Sequence, residues 1–165
     1  MSEWPPQRSA TTEILFPRRI FTVARADRAL VLVSRIVADV VSEFRKLLEL
    51  QELLEKVEQS EDRRSAREAH RQIRETFGRL KSYREELEDV GVELKDWLRG
   101  VVHFPAVVDG KPVCLCWRHG EAKVTHWHRP EACHAGRRST SELIGRYQSA
   151  PIRIHQALEA ARTTR

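Results

Sequence analysis

A chain of 165 residues suits one domain of ordinary size, and a hydrophobic content of 41% is enough for a core. The charged fraction of 32% points to long solvated helices, and no apolar run reaches the roughly 18 residues a membrane span needs. The formal net charge is +5, and the excess lies in residues 101–165, where ten basic side chains face five acidic ones. That surplus is compatible with nucleic-acid binding, but it is scattered rather than striped, so nucleic acid is not the favoured partner. The opening residues lack the basic-then-apolar order of a secretory signal, which places the protein in the cytoplasm. There, three cysteines read as reduced thiols or ligands rather than as a disulfide framework.

Residues 1–20 form an irregular leader, broken by Pro5, Pro6 and Pro17. A helical hairpin is expected over 21–99. Thr22 is a good N-cap, with Phe21 before it as a staple residue. Leu30, Val33, Val37, Val40, Phe44, Leu47 and Leu54 then recur at spacings of three and four, the seam of an antiparallel helical pair or a coiled coil. Leu32, Ile36, Val41 and Leu48 widen this stripe to about half the helix circumference, more than one partner helix covers. The remainder calls for the C-terminal module or for a protein partner, a second copy included, across residues 29–48. Ser65 and Glu68 fit a capping box for the second helix, whose apolar face runs from Ala66 to Val90, and Gly91 is placed to end it.

Beyond Gly91 the texture changes to Val, Trp and Phe punctuated by Gly100, Pro105, Asp109-Gly110 and Gly120. Alternation with closely spaced turn residues predicts strands near 101–104, 112–117 and 123–128 in a small antiparallel module over 100–138. The tail, 139–165, should hold a short helix near 140–147 and a second after Pro151. The fold class is therefore α+β: a long antiparallel hairpin, a small β-sheet module and a partly helical tail.

Strand side chains two apart share a face, so Cys114 points with Cys116 and His126 with His128. Antiparallel pairing of Cys114 with His126 or with His128 brings all four to one face; pairing with Trp127 separates them. On one face they offer the donor types that zinc takes, although C-x-C with H-x-H is not a common zinc spacing. Cys133 and His134 lie just downstream as substitutes. Otherwise no cofactor is implied. His103, in "VVHFPA", reads as a ligand or a core-edge histidine, with the second favoured. A nucleophilic set of Cys116, His128 and Glu121 lacks anything to bring Glu121 to His128.

The string "FPAVVDGKPVCLCWRHGE", then "WH", then "AGRR", after a long hairpin that opens "FT", resembles a bacterial family catalogued as domain-of-unknown-function family 2203. The likeness covers roughly residues 20–140 and rests on Phe104, Pro105, Ala106, Gly110, Leu115, Cys116, Trp117, Gly120, Glu121, Trp127, His128, Gly136 and Arg137. It implies an aromatic core of Phe104, Trp117 and Trp127 held by turns at Gly110 and Gly120. Around it, Cys116, Glu121, His128 and Arg137 would line a shallow ligand-binding pocket suited to a small anion or an acidic partner residue. Cys114, His126, Cys133 and His134 fall where the family carries apolar or aromatic residues, so a four-ligand site departs from its pattern. The expectation is a non-enzymatic interaction or regulatory module, with a small zinc- or iron-binding protein or enzyme centred on Cys116 and His128 as the alternative.

Overall fold

A computed structural model describes residues 19–60, 62–132, 136–143 and 146. The leader up to residue 18, Cys133, His134 and the tail helix expected after Pro151 lie outside these residues. The fold is α+β, two long helices followed by a five-stranded antiparallel sheet.

Helix α1 spans Val23–Gln59 and α2 spans Arg63–Val90. Thr22 caps α1 as expected: its backbone is extended and its hydroxyl accepts the Arg25 N–H at 3.3 Å. Phe21 does more than staple. Its N–H donates to the Pro105 carbonyl at 2.7 Å and its ring meets Phe104 edge-on at 5.2 Å, tying the helix entry to the sheet. Helix α2 begins a turn earlier than the capping box predicts. Asp62, not Ser65, is its N-cap, accepting from the N–H groups of Arg64 and Ser65 at 3.1 Å each. The Ser65 side chain first, then the N–H groups of Ser65 and Arg64, hold the Asp62 carboxyl below its usual range, and Glu68 is left to bind Arg71 and Gln72 instead of closing a box. Gly91 ends α2 in the left-handed region, as read from the sequence.

The helices pack along the expected seam. Leu30, Val33, Val37, Val40 and Leu47 of α1 are buried, as are Ala69, Thr76, Leu80 and Leu87 of α2. Arg79 reaches across to Glu43 at 2.9 Å.

The strands are β1 (Glu93–Asp96), β2 (Val101–Val108), β3 (Lys111–Arg118), β4 (His126–His128) and β5 (Arg138–Ser139), each hydrogen-bonded to the next in chain order. Strands β1 and β5 were not anticipated: the first is a charged "ELKD" edge and the second has only two residues. The third expected strand starts at His126 rather than 123. Val124 gives its N–H to the Asp27 carboxylate of α1 at 2.8 Å, which pins that segment to the helix. The start of the expected helix near 140–147 is a 3-10 turn at Thr140–Leu143, anchored by a bond from Thr140 N–H to the Thr125 carbonyl.

One sheet face carries Val102, Phe104, Ala106, Val108, Val113, Leu115, Trp117 and Trp127, all buried in one cluster with the apolar stripe of α1. The sheet thereby covers part of the wide arc of α1. Ile36 and Val41 are 5% and 4% exposed, whereas Leu32 and Leu48 remain 52% and 38% exposed.

The turn before β2 comes close to α1 at Gly100, which has φ +63; a Cβ there would lie 2.7 Å from Val37 Cγ1 and 2.9 Å from Val41 Cγ2. Gly100→Ala should therefore cost about 2–5 kcal/mol, the sum of left-handed backbone strain and overpacking. Gly120→Ala, with positive φ but open space around it, should cost only about 1–2 kcal/mol. Urea unfolding of the two variants checks the difference.

Candidate metal centre

The site is set by turn geometry. Asp109 and Gly110 have φ of 51° and 74°, the doubly left-handed conformation of a two-residue hairpin loop. Such a loop makes Val108 face Lys111, and counting back along the ladder places His103 opposite Cys116. On the other side of β3, Cys114 pairs with His128 and Cys116 with His126. This register is one of the two that bring Cys114, Cys116, His126 and His128 to a single face, and it adds His103 to them. The face lies opposite the one that packs on the helices.

The side chains then select among these five. His103 and His128 reach towards each other across β3, their Nε2 atoms 3.1 Å apart and their rings edge-on at 4.6 Å. Cys116 completes the group: one ligand atom from each of His103, Cys116 and His128 falls within 4.8 Å of the others. All three are buried, at 7%, 1% and 2% exposure. His126 places its Nδ1 2.9 Å from its neighbour Thr125 Oγ1. Cys114 is half-buried, and burial first, then Glu93, pushes its thiol up to about 11. Neither belongs to the close group.

Hydrogen bonding fixes the tautomer of His128. Its Nδ1 lies 2.7 Å from the Arg129 carbonyl oxygen, which can only accept, so Nδ1 carries the proton. In the neutral ring Nε2 is then a bare lone pair aimed at His103. Two imidazole nitrogens this close need something positive between them, a proton or a metal ion. Backbone fixation of one ring nitrogen, leaving the other to bind, is also the usual outer-sphere arrangement of a metal-bound histidine. At a tetrahedral zinc with its usual bond lengths, nitrogen ligands stand about 3.3 Å apart and a nitrogen and a sulfur about 3.6 Å. The imidazole pair already has the first spacing, and the sulfur needs to close by no more than about 1.2 Å.

A second polar group adjoins the sulfur. Burial raises the Cys116 pKa, the Arg137 guanidinium opposes this through charge and a hydrogen bond, and Glu121 adds to the rise. Arg137 binds both Glu121 oxygens at 3.2 and 3.3 Å, and Glu121 also accepts the Arg118 N–H at 2.9 Å. Thus Cys116, Glu121 and Arg137 come together, while His128 bonds to the Arg129 carbonyl and to His103. The remaining motif residues build the frame. Trp117 donates to the Glu121 carbonyl at 2.8 Å and Trp127 to the Ser139 carbonyl at 3.2 Å with Arg138 over its ring. A Cβ on Gly136 would lie 2.7 Å from Ala132 Cβ, so a side chain there would force one of the two to shift.

A family model described as an uncharacterized conserved protein (DUF2203) matches residues 19–140. The chain belongs to this family. The matched span contains both helices, all five strands, and His103, Cys116 and His128. No curated protein and no solved structure matches the chain.

His103 was legible as a ligand only through the turn. Taken alone it is a histidine on an apolar strand; with Asp109-Gly110 read as a two-residue loop, its place opposite Cys116 follows.

Because folding raises the Cys114 pKa, the folded state holds its thiol proton longer than the unfolded chain does. Its contribution is intact below the ordinary value of 9.0 and is lost as pH rises from there towards about 11. Thermal melts of the parent and of Cys114→Ala across that range should show a steeper fall in the parent.

Proposed function

We propose that this protein binds one transition-metal ion through His103 Nε2, Cys116 Sγ and His128 Nε2, and that zinc is the metal this donor set takes. The observation that carries the reading is the pair of buried Nε2 atoms at 3.1 Å, one of them held as a lone-pair donor by the Arg129 carbonyl. A neutral thiol beneath them supplies the third donor, and loading the metal displaces its proton. Each ligand comes from a different strand, β2, β3 and β4, so the ion ties together the centre of the sheet. The donors are more than nine-tenths buried, which favours a metal that holds the module rigid over one presented to a substrate. This makes the protein a non-enzymatic module, a metal-braced sheet carried on a helical hairpin. Arg137, by favouring the thiolate form of Cys116, raises the affinity of the site at neutral pH.

Protein purified without a histidine tag should contain, or take up in dialysis against zinc, about one equivalent of metal. Less than a tenth of an equivalent would remove the reading. His103→Ala, Cys116→Ser and His128→Ala should each weaken zinc more than about a hundredfold, beyond the range typical of outer-sphere changes, while His126→Ala should leave affinity unchanged. Cobalt substitution should give a thiolate-to-metal absorption band that disappears in Cys116→Ser. Acid should release the metal, because protons compete for both imidazoles and for the thiolate. Arg137→Gln should shift metal uptake to higher pH without changing its stoichiometry.

A further inference from the structure

The outward face of α1 carries an apolar pair that the described residues leave exposed. Val31 is 68% and Leu32 52% exposed, the two most exposed large hydrophobic residues among those described. Around them stand Arg28, Arg35 and Asp39, all exposed. At 100° per residue these five side chains fall within an arc of about 100°. Among the described residues the salt bridges lie elsewhere, and none takes Arg28, Arg35 or Asp39. Along the helix the patch thus runs from a cation, Arg28, past Val31, Leu32 and Arg35 to an anion, Asp39, with Val31 and Leu32 on either flank of the charged row.

That order along a helix is self-complementary. When two copies of α1 lie antiparallel with the two-fold axis between Val33 and Ser34, Arg28 of one copy falls opposite Asp39 of the other, and the reverse. Leu32 then falls opposite Arg35 of the other copy, and the two Leu32 side chains stand about 4.5 Å apart along the helix, near enough to meet on one flank of the contact. The Arg35 stems close over this centre and keep their guanidinium groups in water. Both opposite-charge pairs form at once because a two-fold contact repeats each pairing.

We infer that this face of α1 is a homodimer interface, with a second copy of the same chain docked antiparallel through Val31 and Leu32 and locked in register by paired Arg28–Asp39 contacts. The inference does not depend on the metal centre, which lies on the far side of the sheet from the helices. A partner of another kind, such as an anionic membrane or nucleic acid, would use the arginines but would be repelled by Asp39. A second copy uses both. Contact through one helix face is small for an interface, so the dimer should dissociate on dilution within the range from about one to a few hundred micromolar.

The test is sedimentation velocity over that concentration range, with far-ultraviolet circular dichroism to confirm that each variant keeps its helices. The parent should pass from monomer to dimer as concentration rises. Leu32→Asp should stay monomeric throughout. Arg28→Asp and Asp39→Arg should each weaken association at least tenfold by placing like charges opposite one another, and the double swap should recover most of the parent's association. A parent that is monomeric at the highest concentration overturns the proposal, as does a dimer indifferent to Leu32→Asp. A double swap no stronger than either single variant overturns the antiparallel register.

Discussion

The doubly left-handed turn at Asp109 and Gly110 is the constraint on which the candidate site depends. A two-residue loop leaves the β2–β3 ladder one register, and that register sets which side chains can meet across three strands. Shifted by a single residue, His103 would turn into the helix-facing core and Phe104 would turn out to the polar face. Core packing and site assembly are therefore the same decision. Phe104, Leu115 and Trp117 can be buried against α1 only if His103 and Cys116 stand together on the opposite face.

That opposite face is unusual for a small sheet. A face not packed on helices is ordinarily solvated and polar, yet here two imidazoles and a thiol are nearly sealed from water. Burying polar groups is costly unless they are bonded. His128 is bonded at both ring nitrogens, to the Arg129 carbonyl and to His103. Cys116 has Arg137, itself held by Glu121. These bonds offset the burial, and they also leave the donors converged and oriented. Preorganisation of that kind would leave an ion only a short movement of the sulfur to bring about.

The hairpin shows a different balance. Helix α1 is too long and too apolar for α2 alone, and the sheet takes up the near part of the excess, burying Ile36 and Val41. Gly100 makes that contact close, since a side chain there would collide with Val37 and Val41. Beyond the reach of the sheet, Val31 and Leu32 remain exposed among the described residues. Exposed apolar residues are ordinary when single; a pair flanked by opposite charges in two-fold order carries more information.

From its residues alone, the chain determined two amphipathic rods, the Thr22 and Gly91 caps, the change to strands after Gly91, and the facing of Cys116 with His128 once the register was known. These follow from periodicity and turn chemistry, which act over a few residues. Asp62 displaced Ser65 as a cap because two acceptor-ready residues three apart compete, and local pattern does not rank them. The edge strands β1 and β5 were hidden because a charged tetrapeptide and a dipeptide become strands only when a neighbour offers its ladder. What the tertiary structure alone decided is the choice of His103 over Cys114 and His126. All three share the face, but only side-chain reach across β3 and the Arg129 carbonyl behind His128 bring two imidazole Nε2 atoms and one thiol together, and such convergence depends on distances between strands that no one-dimensional spacing contains.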